Sequence, residues 1–168
     1  MPHDVVRNHS CVGWDMDETL VNGTHSGLWR SCVLASPDAD HYVVTFREKD
    51  DALKVWDELE SLYDLPLTRD MFTGLLFMPD SVRLPYDALP SKLKKADVYS
   101  EPDAKTKRAL DLYKYEWEDV KRRHQAVHHW KAVACKSVGA TVLVDDLEHL
   151  VKPGCDLHGV EFVNSLKL

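Results

Sequence analysis

The sequence predicts an α/β fold in which a mostly parallel, Rossmann-like sheet is sandwiched by helices. Two observations carry this prediction: short apolar runs recur along the chain, and segments with the period of an α-helix lie between them. Strands that alternate with helices form parallel pairs joined by right-handed crossovers. With 168 residues and no internal repeat or linker, the chain is predicted to form one domain, residues 1–168.

Five apolar runs, each bounded by turn or polar residues, are predicted to be buried strands. They cover residues 11–14, 42–44, 75–78, 141–144 and 160–163. Both faces of a parallel sheet are covered by helices, so its strands are apolar throughout and do not alternate with polar residues. Because ligands bind at the carboxyl ends of such strands, the residues that follow each run are the candidates for function.

Three segments have helical periodicity, and each forms one apolar stripe on an otherwise charged surface. The stripes run through residues 52–63, 109–120 and 126–134, and the last helix is expected to stop at Gly139, where glycine suits a left-handed C-terminal cap. The chain before the third helix is longer than one crossover needs. We therefore expect a small helical insertion or cap over residues 82–125, and only a small flap after the first strand.

Composition limits the classes of protein to which the chain can belong. It has 21 Lys and Arg against 28 Asp and Glu, a formal charge of −7, so nucleic acid is expected only as a substrate. No stretch approaches the roughly 20 apolar residues of a membrane-spanning helix, and the amino terminus lacks a secretory signal, so we expect a cytoplasmic protein without a membrane partner. The four scattered cysteines are expected to be reduced thiols. A basic run within residues 92–108 is interpreted as a solvated helix face.

Polar residues with a use in phosphoryl transfer follow three of the predicted strands. Asp15 and Asp17 come directly after the first strand, and Asp145 and Asp146 directly follow the fourth. Such carboxylates are costly to bury unless they bind a cation or are otherwise paired, although a helix N-cap is the alternative for the second pair. Thr45 ends the second strand, where its hydroxyl suits a phosphoryl oxygen or, alternatively, a turn. A carboxylate nucleophile beside a second acid favours phosphoryl transfer.

In order, these residues resemble the four motifs of the haloacid dehalogenase superfamily in its phosphatase form. The resemblance rests on the DMDET motif at residues 15–19, the strand-ending Thr45, a lysine upstream of the fourth strand, and the Asp145-Asp146 pair after it. It spans the core of the chain. It implies a sheet whose central strand is the run at 11–14, flanked by the strand that ends at Thr45 and the strand that precedes Asp145.

The resemblance also implies roles for single residues. Asp15 would be the nucleophile that forms an aspartyl-phosphate, and Asp17 the acid that protonates the leaving group and later activates water. Thr45 and the lysine would hold phosphoryl oxygens. Mg²⁺ would be bound by the Asp15 carboxylate, the Asp17 backbone carbonyl and the acidic pair, with Asp146 as the direct ligand and Asp145 behind it.

Two lysines compete for the phosphate-binding role. Lys131 is preferred to Lys136 because it lies nearer the expected start of the helix that leads into the fourth strand, at the carboxyl edge of the sheet. Arg47 is a candidate substrate ligand or, equally, an exposed surface residue. His124 and His128 share a helix face, as zinc ligands often do, but no nearby Cys or Glu completes such a site.

The expected function is therefore Mg²⁺-dependent hydrolysis of a phosphoric monoester by a phosphatase. The substrate class stays open between a small phosphorylated metabolite, a nucleotide and the phosphorylated end of a nucleic acid. The alternatives are a phosphomutase that uses the same Asp15, and a non-catalytic, metal-binding regulatory module that keeps the acidic pocket. A dehalogenase is disfavoured because the departure of a halide does not need the acid that Asp17 would supply.

Overall fold

A computed structural model of the chain, which describes residues 2–168, has a five-stranded sheet with all strands parallel. The strands are β1 (Cys11–Trp14), β2 (Asp40–Thr45), β3 (Gly74–Phe77), β4 (Val142–Asp145) and β5 (Glu161–Asn164). Every strand boundary lies within two residues of the predicted one. Helices flank the sheet, so the predicted α/β, Rossmann-like fold is confirmed.

The helices of the described residues fill the connections between these strands. They are α1 (Pro2–Arg7), α2 (Ser26–Ala35), α3 (Lys49–Leu53), α4 (Val55–Glu60), α5 (Asp80–Asp87), α6 (Ser91–Lys94), α7 (Ala104–Tyr113), α8 (Trp117–Val138) and α9 (Glu148–His158). A short 3₁₀ helix, Arg69–Met71, precedes β3. Residues 52–63, predicted as one helix, lie mostly in α3 and α4, which meet at Lys54. None of the helices within residues 2–168 is long and apolar enough to cross a membrane.

The single helix predicted through residues 109–120 is wrong. α7 ends at Tyr113, Lys114 takes a left-handed backbone conformation with φ 62°, and α8 begins at Trp117. The apolar pattern continues across this break because apolar side chains of both helices pack in one shared cluster. From Trp117, α8 runs without a break through the third predicted segment to Gly139, which has φ 80° and caps the helix as expected.

β1 is the central strand of the sheet. The strand order is β3-β2-β1-β4-β5, so β2 and β4 are its neighbours, as expected. Trp14 of β1 pairs with Val43 of β2 and with Val144 of β4. A Cβ on Gly13 would lie 2.7 Å from Sγ of Cys135 in α8, so glycine is needed for helix and sheet to approach this closely. This close packing brings α8 against the strand that leads to Asp15.

Helices cover both faces of the sheet. Side chains of α2 and α4, such as Trp29 and Leu59, pack on one face, and side chains of α8 and α9, such as Trp130 and Val151, pack on the other. A third apolar cluster contains no strand residue and joins α6, α7 and the first turn of α8; its buried members are Leu89, Leu93, Val98, Ala109 and Val120. Residues 82–125 therefore carry helices with an apolar cluster of their own. Their role as a cap stays a prediction.

Candidate active site

Asp15 and Asp145 lie side by side at the carboxyl edge of the sheet. β1 and β4 are neighbours, and the remaining strands continue in opposite directions, β2 and β3 beyond β1 and β5 beyond β4. A point where the strand order reverses in this way opens a crevice for a ligand. The Asp15 N–H donates to the Val144 carbonyl oxygen at 2.9 Å, which holds the two strand ends in register.

Lys131 of α8 joins these two acids. Its Nζ donates to Asp15 Oδ1 and to Asp145 Oδ2, both at 2.7 Å, and its side chain is 1% exposed. The same Nζ lies 4.3 Å from the centre of the Phe46 ring, which adds a cation–π contact. Lys136, the other candidate, is exposed on α8. The structure thus brings together the preferred lysine and the two acids.

The predicted reason for preferring Lys131 is wrong, however. α8 begins at Trp117, so Lys131 lies about four turns into the helix and not near its start. Its ammonium still reaches the carboxyl edge because the earlier turns of α8 extend beyond that edge. These turns carry His124, His128 and the contact with the third apolar cluster.

Two hydroxyl groups complete the environment of the Asp15 carboxylate. The Thr19 hydroxyl lies 3.1 Å from Asp15 Oδ2 and 3.0 Å from Oγ of Ser165. A threonine hydroxyl has one proton, so Thr19 donates to the carboxylate and accepts from Ser165. Both hydroxyl residues are buried. Asp15 therefore has a cation on one oxygen and a donor on the other, which fixes the direction of its side chain.

The charges of the buried groups do not balance. Burial, opposed by Lys131 and assisted by the nearby Asp145 and Asp146 carboxyl groups, raises the pKa of Asp15 to about 8. Burial also works to lower the pKa of Lys131, but its two carboxylate partners outweigh burial and the pKa is raised. Lys131 thus stays positively charged, and the neighbouring acids carry more negative charge than it can neutralise. A proton or a bound cation relieves this surplus.

The two acids at the end of β4, Asp145 as its last residue and Asp146 directly after it, make different contacts. Asp145 is fully buried; its Oδ2 accepts from Lys131 and its Oδ1 accepts the Leu147 N–H at 2.9 Å, just before α9 begins. Leu147 is itself the N-cap residue of α9 and no side chain caps this helix, so the alternative role of a helix N-cap for the acidic pair is wrong. Asp146 is half-buried and faces Asp15. Carboxylate oxygens of Asp15, Asp145 and Asp146 all lie within 4.8 Å of one another.

Asp17, the second acid of the DMDET motif, is bound by Arg47. Arg47 Nε donates to Asp17 Oδ2 at 3.0 Å and Nη2 to Oδ1 at 2.6 Å, while Nη1 lies 2.8 Å from Glu58 Oε2. This pairing raises the pKa of the guanidinium. Glu18 has φ 63°, which turns the chain directly after Asp17. The buried Thr45 hydroxyl accepts the Arg47 N–H at 3.1 Å, so Thr45 is linked to this pair through the backbone.

The two histidines weighed as zinc ligands make other contacts. Nε2 of His124 lies 2.9 Å from the Leu93 carbonyl oxygen, and Nδ1 of His128 lies 2.8 Å from the Tyr99 hydroxyl. Among the side chains that the structure describes, the cluster able to hold a metal ion is the set Asp15, Asp145 and Asp146. These histidines instead join α8 to the helices that precede it.

Glu58, Phe46 and Ser165 contact the site but could not be assigned from the sequence. Glu58 has the pattern of an exposed residue on an amphipathic helix, and Ser165 is 146 positions from Thr19. Their contacts arise only when distant elements pack together. Comparisons with protein-family models, with curated proteins and with solved structures gave no match.

Proposed function

We propose that this chain is a Mg²⁺-dependent phosphatase in which Asp15 forms an aspartyl-phosphate. The observation that carries the proposal is the bridge from Asp15 through Lys131 to Asp145 at the switch point of the sheet, where both bridging distances are 2.7 Å. A carboxylate held between an ammonium group and a hydroxyl has a fixed direction of attack. The ammonium group also attracts the anionic phosphate ester that the carboxylate has to attack.

The acids fit a hard divalent cation. Their oxygens lie within 4.8 Å of one another, and carboxylate oxygens are the hard ligands that Mg²⁺ prefers. Asp15 and Asp146 would hold the ion, because Asp146 is half-buried at the rim and faces Asp15, whereas Asp145 is fully buried. When bound, Mg²⁺ supplies a Lewis acid that offsets the repulsion between a carboxylate and a phosphate ester.

The reaction has two halves, which use the same two acids. In the first, Asp15 forms a bond to phosphorus while the bond to the leaving oxygen breaks, and Asp17 gives that oxygen its proton. In the second, Asp17 takes a proton from water, the water oxygen attacks phosphorus, and Asp15 is released as phosphate departs. Lys131 stays charged and neutralises the phosphoryl oxygens, with the Thr45 hydroxyl as a further ligand. The Asp17 backbone carbonyl would complete the magnesium site.

Arg47 controls when Asp17 can act. Both carboxylate oxygens of Asp17 accept hydrogen bonds from Arg47, so Asp17 becomes available as an acid only when the guanidinium turns to another anion. The phosphoryl group of the substrate is such an anion. In this proposal substrate binding transfers Arg47 from Asp17 to phosphate, while Glu58 keeps the guanidinium beside the site.

A screen of phosphorylated metabolites, nucleotides and terminally phosphorylated oligonucleotides tests the proposal. Hydrolysis should require Mg²⁺, stop with chelator and be abolished by Asp15→Asn, whereas Asp38→Asn, at an exposed acid, should leave it unchanged. Asp17→Asn should slow alkyl phosphates more than aryl phosphates, since an aryl oxide leaves without a proton. Equal losses on alkyl and aryl phosphates would show that Asp17 is not the acid. Activity in Asp15→Asn would show that Asp15 is not the nucleophile.

One observation favours a second candidate, a non-catalytic metal-binding module. Asp17 is fully engaged by Arg47, as expected if the acid has a structural task. Such a module would bind Mg²⁺ but hydrolyse no substrate in the screen. Treatment with acetyl phosphate or beryllium fluoride and Mg²⁺, followed by mass spectrometry or a thermal-shift assay, would then report whether Asp15 still accepts a phosphoryl group or its mimic.

A further inference from the structure

A groove lined by basic side chains lies between α6 and α7. It has a volume of about 700 Å³, and its cations are Lys92, Lys95, Lys105 and Arg108. We refer to it as the basic groove. Ala109, which lines the groove, also belongs to the third apolar cluster, so the groove is built on packed helices. Val120 of that cluster lies 11 residues before Lys131 on α8, or about 16 Å along the helix axis, so the groove is separate from the candidate active site.

The positive charge of the basic groove is neutralised only in part, through the charges of Lys105 and Arg108 that help to lower the pKa of Asp103 after its hydrogen bonds to Thr106. Within residues 2–168, none of the four cations forms an ion pair within 4.0 Å of a carboxylate. Two carboxylates line the groove, but both are held by local hydrogen bonds: Asp103 accepts the Thr106 N–H at 2.8 Å, and Asp97 accepts the Tyr99 N–H at 2.9 Å. Four cations against two acids leave a surplus of positive charge in a chain whose net charge is −7.

The arrangement of the cations suits several phosphate groups at once. Lys92 and Lys95 are three residues apart along the chain, as are Lys105 and Arg108 on α7, so each pair lies on one side of its segment, one turn apart. The groove has the volume of a small-molecule site, for which about 300 to 1,000 Å³ is usual. The described side chains that line it include no aromatic ring on which a base would stack. Recognition through charge alone is therefore expected.

We propose that the basic groove is a second anion-binding site, which takes a compact ligand with a linear run of phosphate groups. The two pairs of cations bind successive phosphates, and the groove walls limit the length of the run. The site is independent of the proposed phosphatase activity, because it contains none of the candidate catalytic residues.

Calorimetric titration of the full chain with sodium tripolyphosphate, in chelator and without Mg²⁺, tests this site. We expect saturable binding that weakens with added salt. Arg108→Gln and Lys105→Gln should each weaken it roughly tenfold or more, as for loss of a charge-assisted hydrogen bond. Lys107→Gln is the matched control, since Lys107 is exposed on the same helix and does not line the groove. Thermal melts of all three variants should coincide with that of the wild type.

Four results would overturn the proposal. The first is that tripolyphosphate fails to bind the wild type, and the second is that it binds Arg108→Gln, Lys105→Gln and Lys107→Gln with the same affinity as the wild type. The third is that orthophosphate binds as tightly as tripolyphosphate, which would exclude a run of phosphates. The fourth is that an oligonucleotide without terminal phosphates binds in place of tripolyphosphate with the same sensitivity to Arg108→Gln, which would assign the groove to nucleic acid.

Discussion

Replacing Lys131 by methionine should destabilise the fold strongly. Methionine keeps most of the aliphatic stem, so little cavity forms, but Asp15 and Asp145 lose the ammonium group that lies 2.7 Å from each of them. Asp145 is fully buried and Asp15 nearly so, hence water cannot replace the cation. Removing one partner of a buried ion pair costs about 3 to 5 kcal/mol. In a chain of this size that corresponds to a melting temperature lower by roughly 6 to 20 °C.

Urea denaturation followed by circular dichroism measures this loss. If m is about 2 kcal/mol/M, the midpoint of Lys131→Met should fall by roughly 2 M. Lys136→Met is the control, because Lys136 is exposed on the same helix and its replacement should change stability by about 0.5 kcal/mol or less. Asp145→Asn should restore part of the stability of Lys131→Met, since it removes one of the two unpaired charges. Coincident midpoints for Lys131→Met and Lys136→Met would refute the reasoning.

Three further predictions concern the acids, Arg47 and the histidines. Millimolar Mg²⁺ should raise the melting temperature of the wild type, by the equivalent of about 2.7 kcal/mol at a hundredfold excess over Kd, but not that of Asp146→Asn. Glu58→Gln should lower kcat/KM of the proposed phosphatase roughly two- to fivefold, because Glu58 holds Arg47 through an exposed ion pair. Burial, with the neighbouring histidines, lowers the pKa of His128 to about 4, so its contribution to stability is present above pH 6.5 and is lost as pH falls towards 4. At pH 5 the loss is about 2 kcal/mol by linkage, reduced to about 1 by solvent screening, and His128→Gln should flatten the dependence.

Each of these predictions has an outcome that contradicts it. A Mg²⁺ shift that survives in Asp146→Asn would remove that residue from the metal site. Asp57→Asn, at an exposed acid next to Glu58, should leave kcat/KM unchanged; an equal loss in both variants would mean that general charge, and not the contact with Arg47, is responsible. Urea titrations between pH 7.5 and 5 measure how the free energy of unfolding depends on pH. The same dependence in wild type and His128→Gln would exclude His128 as its source.

The sheet could be predicted closely because each strand is buried on both faces. Continuous apolar runs then mark the strands, and both ends of all five predicted strands lie within two residues of those observed. The helix break between Tyr113 and Trp117 could not be predicted, since its left-handed residue is Lys114 and not the glycine or asparagine that signals such a turn. Gly139 carries that signal, and the end of α8 was predicted correctly.

The acids of the candidate site could be located because the carboxyl ends of parallel strands converge on one edge. Asp15 follows β1 and Asp145 ends the neighbouring β4, so the sheet alone brings them together. The partners that fix their side chains come from elsewhere in the chain. Thr19 meets Ser165 across 146 positions, and Arg47 meets Glu58 through the packing of α4 near the end of β2. Contacts of this kind have no local sequence pattern, so their prediction requires the tertiary structure.

The stability of the fold and its proposed chemistry depend on the same imbalance of charge. Asp15 and Asp145 are buried with one lysine, and Asp146 adds a third carboxyl group at the rim. The raised pKa of Asp15 indicates that bringing these acids together lowers the stability of the fold. An apolar residue in place of Asp15 would remove that cost but also the proposed nucleophile. The proposed function accounts for the retention of these acids, since Mg²⁺ would relieve the imbalance while Lys131 and Arg47 would attract phosphate.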